Sequence, residues 1–82
     1  MIYAVVWLPA GMTAYRRLRA SDPDGAKRIA GAVAALSADP CPAESSALGT
    51  TNFRRLRLDN YRVLYEITDV AVHVMHVGRV PG

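Results

Sequence analysis

The sequence has a single cysteine, Cys41, a single lysine, Lys27, and only 7% aromatic residues. One cysteine forms no internal disulfide and argues against a thiolate-ligated metal site, so the expected setting is reduced and cytoplasmic. No apolar run approaches the roughly 18 residues that cross a membrane. The N-terminus, Met1-Ile2-Tyr3-Ala4-Val5-Val6-Trp7-Leu8-Pro9, carries no basic segment ahead of its short apolar run, and no signal peptide is expected. No glycine-rich loop follows a strand, no Ser/His/Asp set has supporting context, and no His/Cys/Asp/Glu group has metal-ligand spacing. The seven acids are scattered, which argues against a paired-carboxylate hydrolase. The expectation is a chain with no metal, no cofactor and no membrane partner.

What is present is an ordinary globular composition, 51% apolar and 21% charged, in 82 residues. That length makes a single domain, residues 1–82, which buries only about 60–65% of its unfolded surface. Nine of the ten basic residues are arginine, and the net charge is +3. Arg54, Arg55, Arg57 and Arg62 crowd a short segment whose single acid is Asp59. Arginine forks onto phosphate and stays charged, so this segment is either an anion or nucleic-acid footprint or a solvated sheet face. Arg16, Arg17 and Arg19 read as an ordinary wet helix face that is also able to dock on phosphates.

Residues 2–8 are nearly all apolar and suit a short strand covered on both faces, ended by Pro9-Ala10-Gly11. From Met12 to Ala20 a helical stripe holds Met12, Tyr15 and Leu18. Ser21-Asp22-Pro23 starts a second helix, with Ala26, Ile29, Ala30, Val33 and Leu36 at three- and four-residue spacing, weakened by Gly25 and Gly31. Asp39-Pro40-Cys41-Pro42 stops it. Residues 39–52 lack periodicity and read as a long loop. The last thirty residues read as a three-stranded meander, with turns at Asp59-Asn60 and Thr68-Asp69 and a third strand over Val70 to Val77.

A two-residue turn at Asp59-Asn60 sets Leu58 opposite Tyr61, Arg57 opposite Arg62, Leu56 opposite Val63 and Arg55 opposite Leu64. Directly opposed residues share a face, so Arg55, Arg57, Arg62, Leu64 and Glu66 project to one side. Leu56, Leu58, Tyr61, Val63, Tyr65 and Ile67 form the core face. A turn at Thr68-Asp69 pairs Ile67 with Val70, Tyr65 with Val72 and Val63 with Val74. It also sends Ala71, His73, Met75 and, where the strand parity persists, Arg79 to the arginine side and leaves His76 near Tyr61 as a structural histidine. Opposed Arg57 and Arg62 repel unless an anion lies between them.

The meander Arg55-Leu56-Arg57-Leu58-Asp59-Asn60-Tyr61-Arg62-Val63-Leu64-Tyr65-Glu66-Ile67, followed by His73-Val74-Met75-His76-Val77-Gly78-Arg79, resembles the RelE/ParE superfamily of type II toxins. The strand, paired helices and late meander keep the same order, so the resemblance spans nearly the whole chain. It implies an α+β fold in which an N-terminal strand, a helical hairpin and a three-stranded antiparallel meander build one sheet, with the helices on its Leu/Val/Tyr face.

By that resemblance the chain is a toxin held by a cognate antitoxin, and its RelE-type relatives cut mRNA on the ribosome without metal. Arg55, Arg57 and Arg62 match the positions that contact the scissile phosphate, with Arg54 and Arg79 as further RNA-binding candidates. RelE-type toxins continue past the Val-Gly segment into a tail that carries another basic residue and a tyrosine or histidine. Arg79 matches the basic position, the tail tyrosine has no counterpart, and His73 becomes the candidate for proton transfer, with His76 or the ribosome in reserve. Two rivals stand beside this expectation: a ParE-like inhibitor of DNA gyrase without nuclease chemistry, and a catalytically silent module that only binds an antitoxin.

Overall fold

Proline at the first helical position opens both helices in the computed structural model, which describes residues 2–81. Helix α1 (Pro9–Ser21) begins directly after Leu8, so Pro9-Ala10-Gly11 forms its first turn. The apolar stripe alone had placed this start at Met12. Gly11 is buried there, and a β-carbon on it would collide with the carbonyl of Val74. Helix α2 (Pro23–Ala35) is capped by Asp22, whose carboxylate accepts the Gly25 N–H at 3.0 Å. A β-carbon on Gly25 would run into the Tyr61 hydroxyl, so that glycine allows the helix to meet the sheet.

Five strands make one sheet: β1 (Ala4–Trp7), β2 (Ser45–Ala47), β3 (Phe53–Leu58), β4 (Tyr61–Ile67) and β5 (Ala71–Arg79), in the order β1-β5-β4-β3-β2. β1 runs parallel to β5 and every other pairing is antiparallel. Both helices cover one face. Leu18, Ala26, Ile29, Val33 and Leu36 close on Leu56, Val63, Tyr65, Val72, Val74 and Val77, all buried. Each fully buried Val, Leu or Ile contributes about 1.5–3 kcal/mol. Tyr65, fully buried, donates its hydroxyl to the Pro40 carbonyl at 2.7 Å and ties the segment after α2 to the core. Burial raises its phenol above the ordinary range.

β1, β2 and β5 also depart from the expectation. β1 is an edge strand with one open face, on which Val6 is 40% exposed, because none of the described residues covers the sheet opposite the helices. The segment 39–52 contains β2, which pairs Ser45 with Leu56, Ser46 with Arg55 and Ala47 with Arg54. A polar three-residue edge strand has no periodicity to read; it exists through its ladder with β3.

The first hairpin has the expected register, Arg57 opposite Arg62 and Leu58 opposite Tyr61, with Asp59 in the left-handed region (φ 50°). The second hairpin is shifted. The Thr68 N–H donates to the Ala71 carbonyl at 2.8 Å, and its hydroxyl accepts the Ala71 N–H at 3.0 Å. Asp69 and Val70 therefore form the tip, and Val70 is 68% exposed rather than paired with Ile67. Tyr65 pairs with Val74, and a bulge at Met75 then sets Leu64 opposite His76, Val63 opposite Val77 and Arg62 opposite Gly78. The extra residue reverses the alternation of β5 beyond Val74.

Candidate functional site

The uncovered sheet face carries the first-hairpin arginines. Arg57 and Arg62 are directly opposed, Arg55 lies two residues along β3, and Ser46 of β2 pairs with Arg55. These four residues line a shallow cleft of about 210 Å³. A larger adjoining cleft of about 390 Å³ is walled by Arg55, Arg62, Leu64 and His76, with Leu48 at its rim. No carboxylate of the described residues pairs with Arg55, Arg57 or Arg62. Arg62 Nη1 donates to the carbonyls of Asp59 and Tyr61, each at 2.8 Å. The backbone thus steadies this guanidinium while Nε and Nη2 remain available for an anion.

The bulge decides which histidine joins this face. His76 was expected on the core side; the extra residue at Met75 turns it outward, where it is exposed beside the arginine cleft. His73 pairs with Glu66 on the same face, its Nδ1 3.8 Å from Glu66 Oε1. Glu66 lies four residues from Arg62 along β4, about 13 Å at roughly 3.3 Å per residue. The structure therefore brings His76, not His73, to the arginines. A readable signal existed: the buried valines of β5 step by two from Val72 to Val74, then by three to Val77. Ser46 gave no such signal, since its strand forms only by pairing.

Two further candidates turn away. Arg54 pairs with Tyr65 and shares the helix-side parity, donating from Nε to Ser45 Oγ at 3.0 Å and from Nη2 to the Ser45 carbonyl at 3.2 Å. Arg79, after the bulge, pairs with Tyr61, and its Nη1 lies 3.1 Å from Asp22 Oδ2. Its guanidinium is thereby held on the helix side, although the residue still borders the larger cleft.

Asp22 is the hub of that side. It accepts the Tyr61 hydroxyl, the Gly25 N–H and the Arg79 guanidinium. These bonds, that from Tyr61 foremost, hold its carboxyl below the usual carboxylate range against a smaller desolvation effect. The same hydrogen bond and partial desolvation push the Tyr61 phenol up.

Two helices on one face of a mixed five-stranded sheet, with a late antiparallel meander, define an α+β fold of RelE-like toxins. A family model, the ParE toxin of type II toxin-antitoxin systems (parDE), matches residues 12–80, and the chain belongs to that family within the RelE/ParE superfamily. No curated protein matches it in sequence. Among solved structures, the toxin-antitoxin complex RelBE2 from Mycobacterium tuberculosis superposes with a TM-score of 0.81 at 21% identity, covering 96% of this chain and 99% of that one. A mutant of the E. coli toxin RelE in the free state gives 0.78 at 19% identity, covering 96% and 84%. The YoeB dimer from Staphylococcus aureus gives 0.74 at 13%, covering 93% and 94%. At these identities the likeness is one of fold. No helix among the described residues is long and apolar enough to cross a membrane.

Proposed function

We propose that this type II toxin acts on RNA as a ribosome-dependent mRNA endoribonuclease, and that a cognate antitoxin protein restrains it. The observation that carries the reading is the set of Arg55, Arg57 and Arg62, paired with no carboxylate of the described residues, in two adjoining clefts, the larger of which His76 shares with Arg55 and Arg62. Opposed like charges weaken a strand pair, and an RNA phosphate between them offsets that cost. In the cleavage step a ribose 2′-hydroxyl attacks the adjacent phosphorus and the bond to the 5′-oxygen breaks. The arginines stabilise the charge that develops on the phosphoryl oxygens. His76 accepts the 2′-hydroxyl proton as general base, and the departing 5′-oxygen takes a proton from solvent. Solved relatives that include the RelBE2 and DinJ-YafQ toxin-antitoxin complexes support an antitoxin partner.

A second reading, inhibition of DNA gyrase without nuclease chemistry, is favoured by the match to the ParE family model. The deciding experiment is a purified translation reaction in which mRNA breaks are mapped by primer extension, beside Arg62→Ala and His76→Ala variants. Breaks on translated message that vanish in both variants establish the nuclease. Intact message with inhibited gyrase supercoiling establishes the second reading, and inactivity in both assays leaves a module that only binds antitoxin.

A further inference from the structure

The arginines of α1 play no part in the cleft described above. This helix holds Arg16, Arg17 and Arg19 and no acid. Arg19 lies over the Tyr15 ring, 6.0 Å from its centroid. Arg17 points elsewhere: with Ser21 and Leu18 it lines a separate cleft of about 250 Å³ whose opposite wall is His76 and Gly78. Those two residues also wall the larger arginine cleft. His76 and Gly78 therefore form a saddle with Arg62 on one side and Arg17 on the other. The saddle is low, because Gly78 has no side chain and a β-carbon there would sit 3.3 Å from His76 Nε2. Ser21 keeps the far cleft open, since its short hydroxyl turns back to donate to the Leu18 carbonyl at 3.3 Å. No carboxylate of the described residues pairs with Arg17.

We propose that Arg17 forms a second phosphate subsite, which holds the RNA strand where it crosses the His76–Gly78 saddle from the Arg55–Arg62 cleft. The proposal rests on RNA being the ligand of the arginine face. A polyanionic strand that runs through one cleft meets the next cation across the lowest point of its wall, and a guanidinium binds phosphate through paired N–H groups. The subsite adds length-dependent affinity and no chemistry.

The test is fluorescence anisotropy on the full chain, without ribosomes, using 2′-O-methylated oligoribonucleotides that resist cleavage. A tetranucleotide and a decanucleotide are titrated across a salt series. Wild type is expected to bind the decanucleotide more tightly. Arg17→Ala is expected to lower decanucleotide affinity several-fold, to reduce the salt slope by about 0.7 and to leave the tetranucleotide nearly unchanged, with Arg17→Lys keeping most of the affinity. Arg16→Ala removes the same charge from the same helix outside the cleft and is expected to retain the length advantage. Equal losses in Arg17→Ala and Arg16→Ala, or an equal loss on both RNAs, would overturn the subsite alone. Wild-type protein that binds neither RNA would overturn the subsite, while the RNA reading falls only if message stays intact in the translation reaction.

Discussion

Arg57 and Arg62 face each other across the β3–β4 hairpin with no carboxylate of the described residues to separate their charges. On the proposed RNA reading, this pair trades stability for anion binding. Arg57→Gln is therefore expected to raise stability by a few tenths of a kcal/mol in urea unfolding while weakening RNA binding. A variant that both loses stability and keeps full RNA affinity would contradict this account of the pair.

The two histidines give the sharpest contrast. His76→Ala is expected to slow mRNA cleavage by about 10²–10⁴-fold, the usual contribution of a positioned acid or base. His73→Ala, at a residue that pairs with Glu66 about 13 Å along β4 from Arg62 at roughly 3.3 Å per residue, is expected to stay within a few-fold of wild type. Single-turnover rates from primer extension decide it, and equal losses would place the proton transfer elsewhere.

Two glycines of α2 are expected to respond in opposite directions. A β-carbon at Gly31 meets nothing within 4 Å, so Gly31→Ala is expected to stabilise the helix by about 0.5–1 kcal/mol. That raises Tm by roughly 2–8 °C for a domain of this size. At Gly25 the methyl meets the Tyr61 hydroxyl, so Gly25→Ala is expected to cost about 1–3 kcal/mol through overpacking. Thermal unfolding followed by circular dichroism measures both.

The Asp22–Tyr61 bond gives stability a pH window. Asp22 titrates below its unfolded value, so its contribution is full above the ordinary carboxylate range and is lost as pH falls through the lowered pKa. Tyr61 titrates above its unfolded value, so its contribution is full below the ordinary phenol range and is lost as pH rises through the raised pKa. Asp22→Asn keeps a good helix cap. The wild-type advantage over it is expected to be constant near neutrality and to shrink in acid, while the advantage over Tyr61→Phe shrinks in strong alkali. Denaturant midpoints across pH test both limbs, and an acid loss shared equally by Asp22→Asn would assign it to other carboxylates.

Local pattern by itself determined the helices, the first hairpin and the arginine face. Proline and capping residues act within a turn, alternation has a period of two, and a two-residue turn leaves one register open to Leu56, Arg57, Arg62 and Val63. Tertiary structure alone decided β2, the turn tip at Asp69-Val70 and the bulge at Met75. A polar strand such as Ser45–Ala47 exists only through its neighbour's hydrogen bonds. The bulge at Met75 goes with burial of Val77 in the core and turns His76 outward to the arginines. Parity along a strand is local until one residue is inserted. Beyond that point burial chooses the face, and the candidate site takes its histidine from that choice.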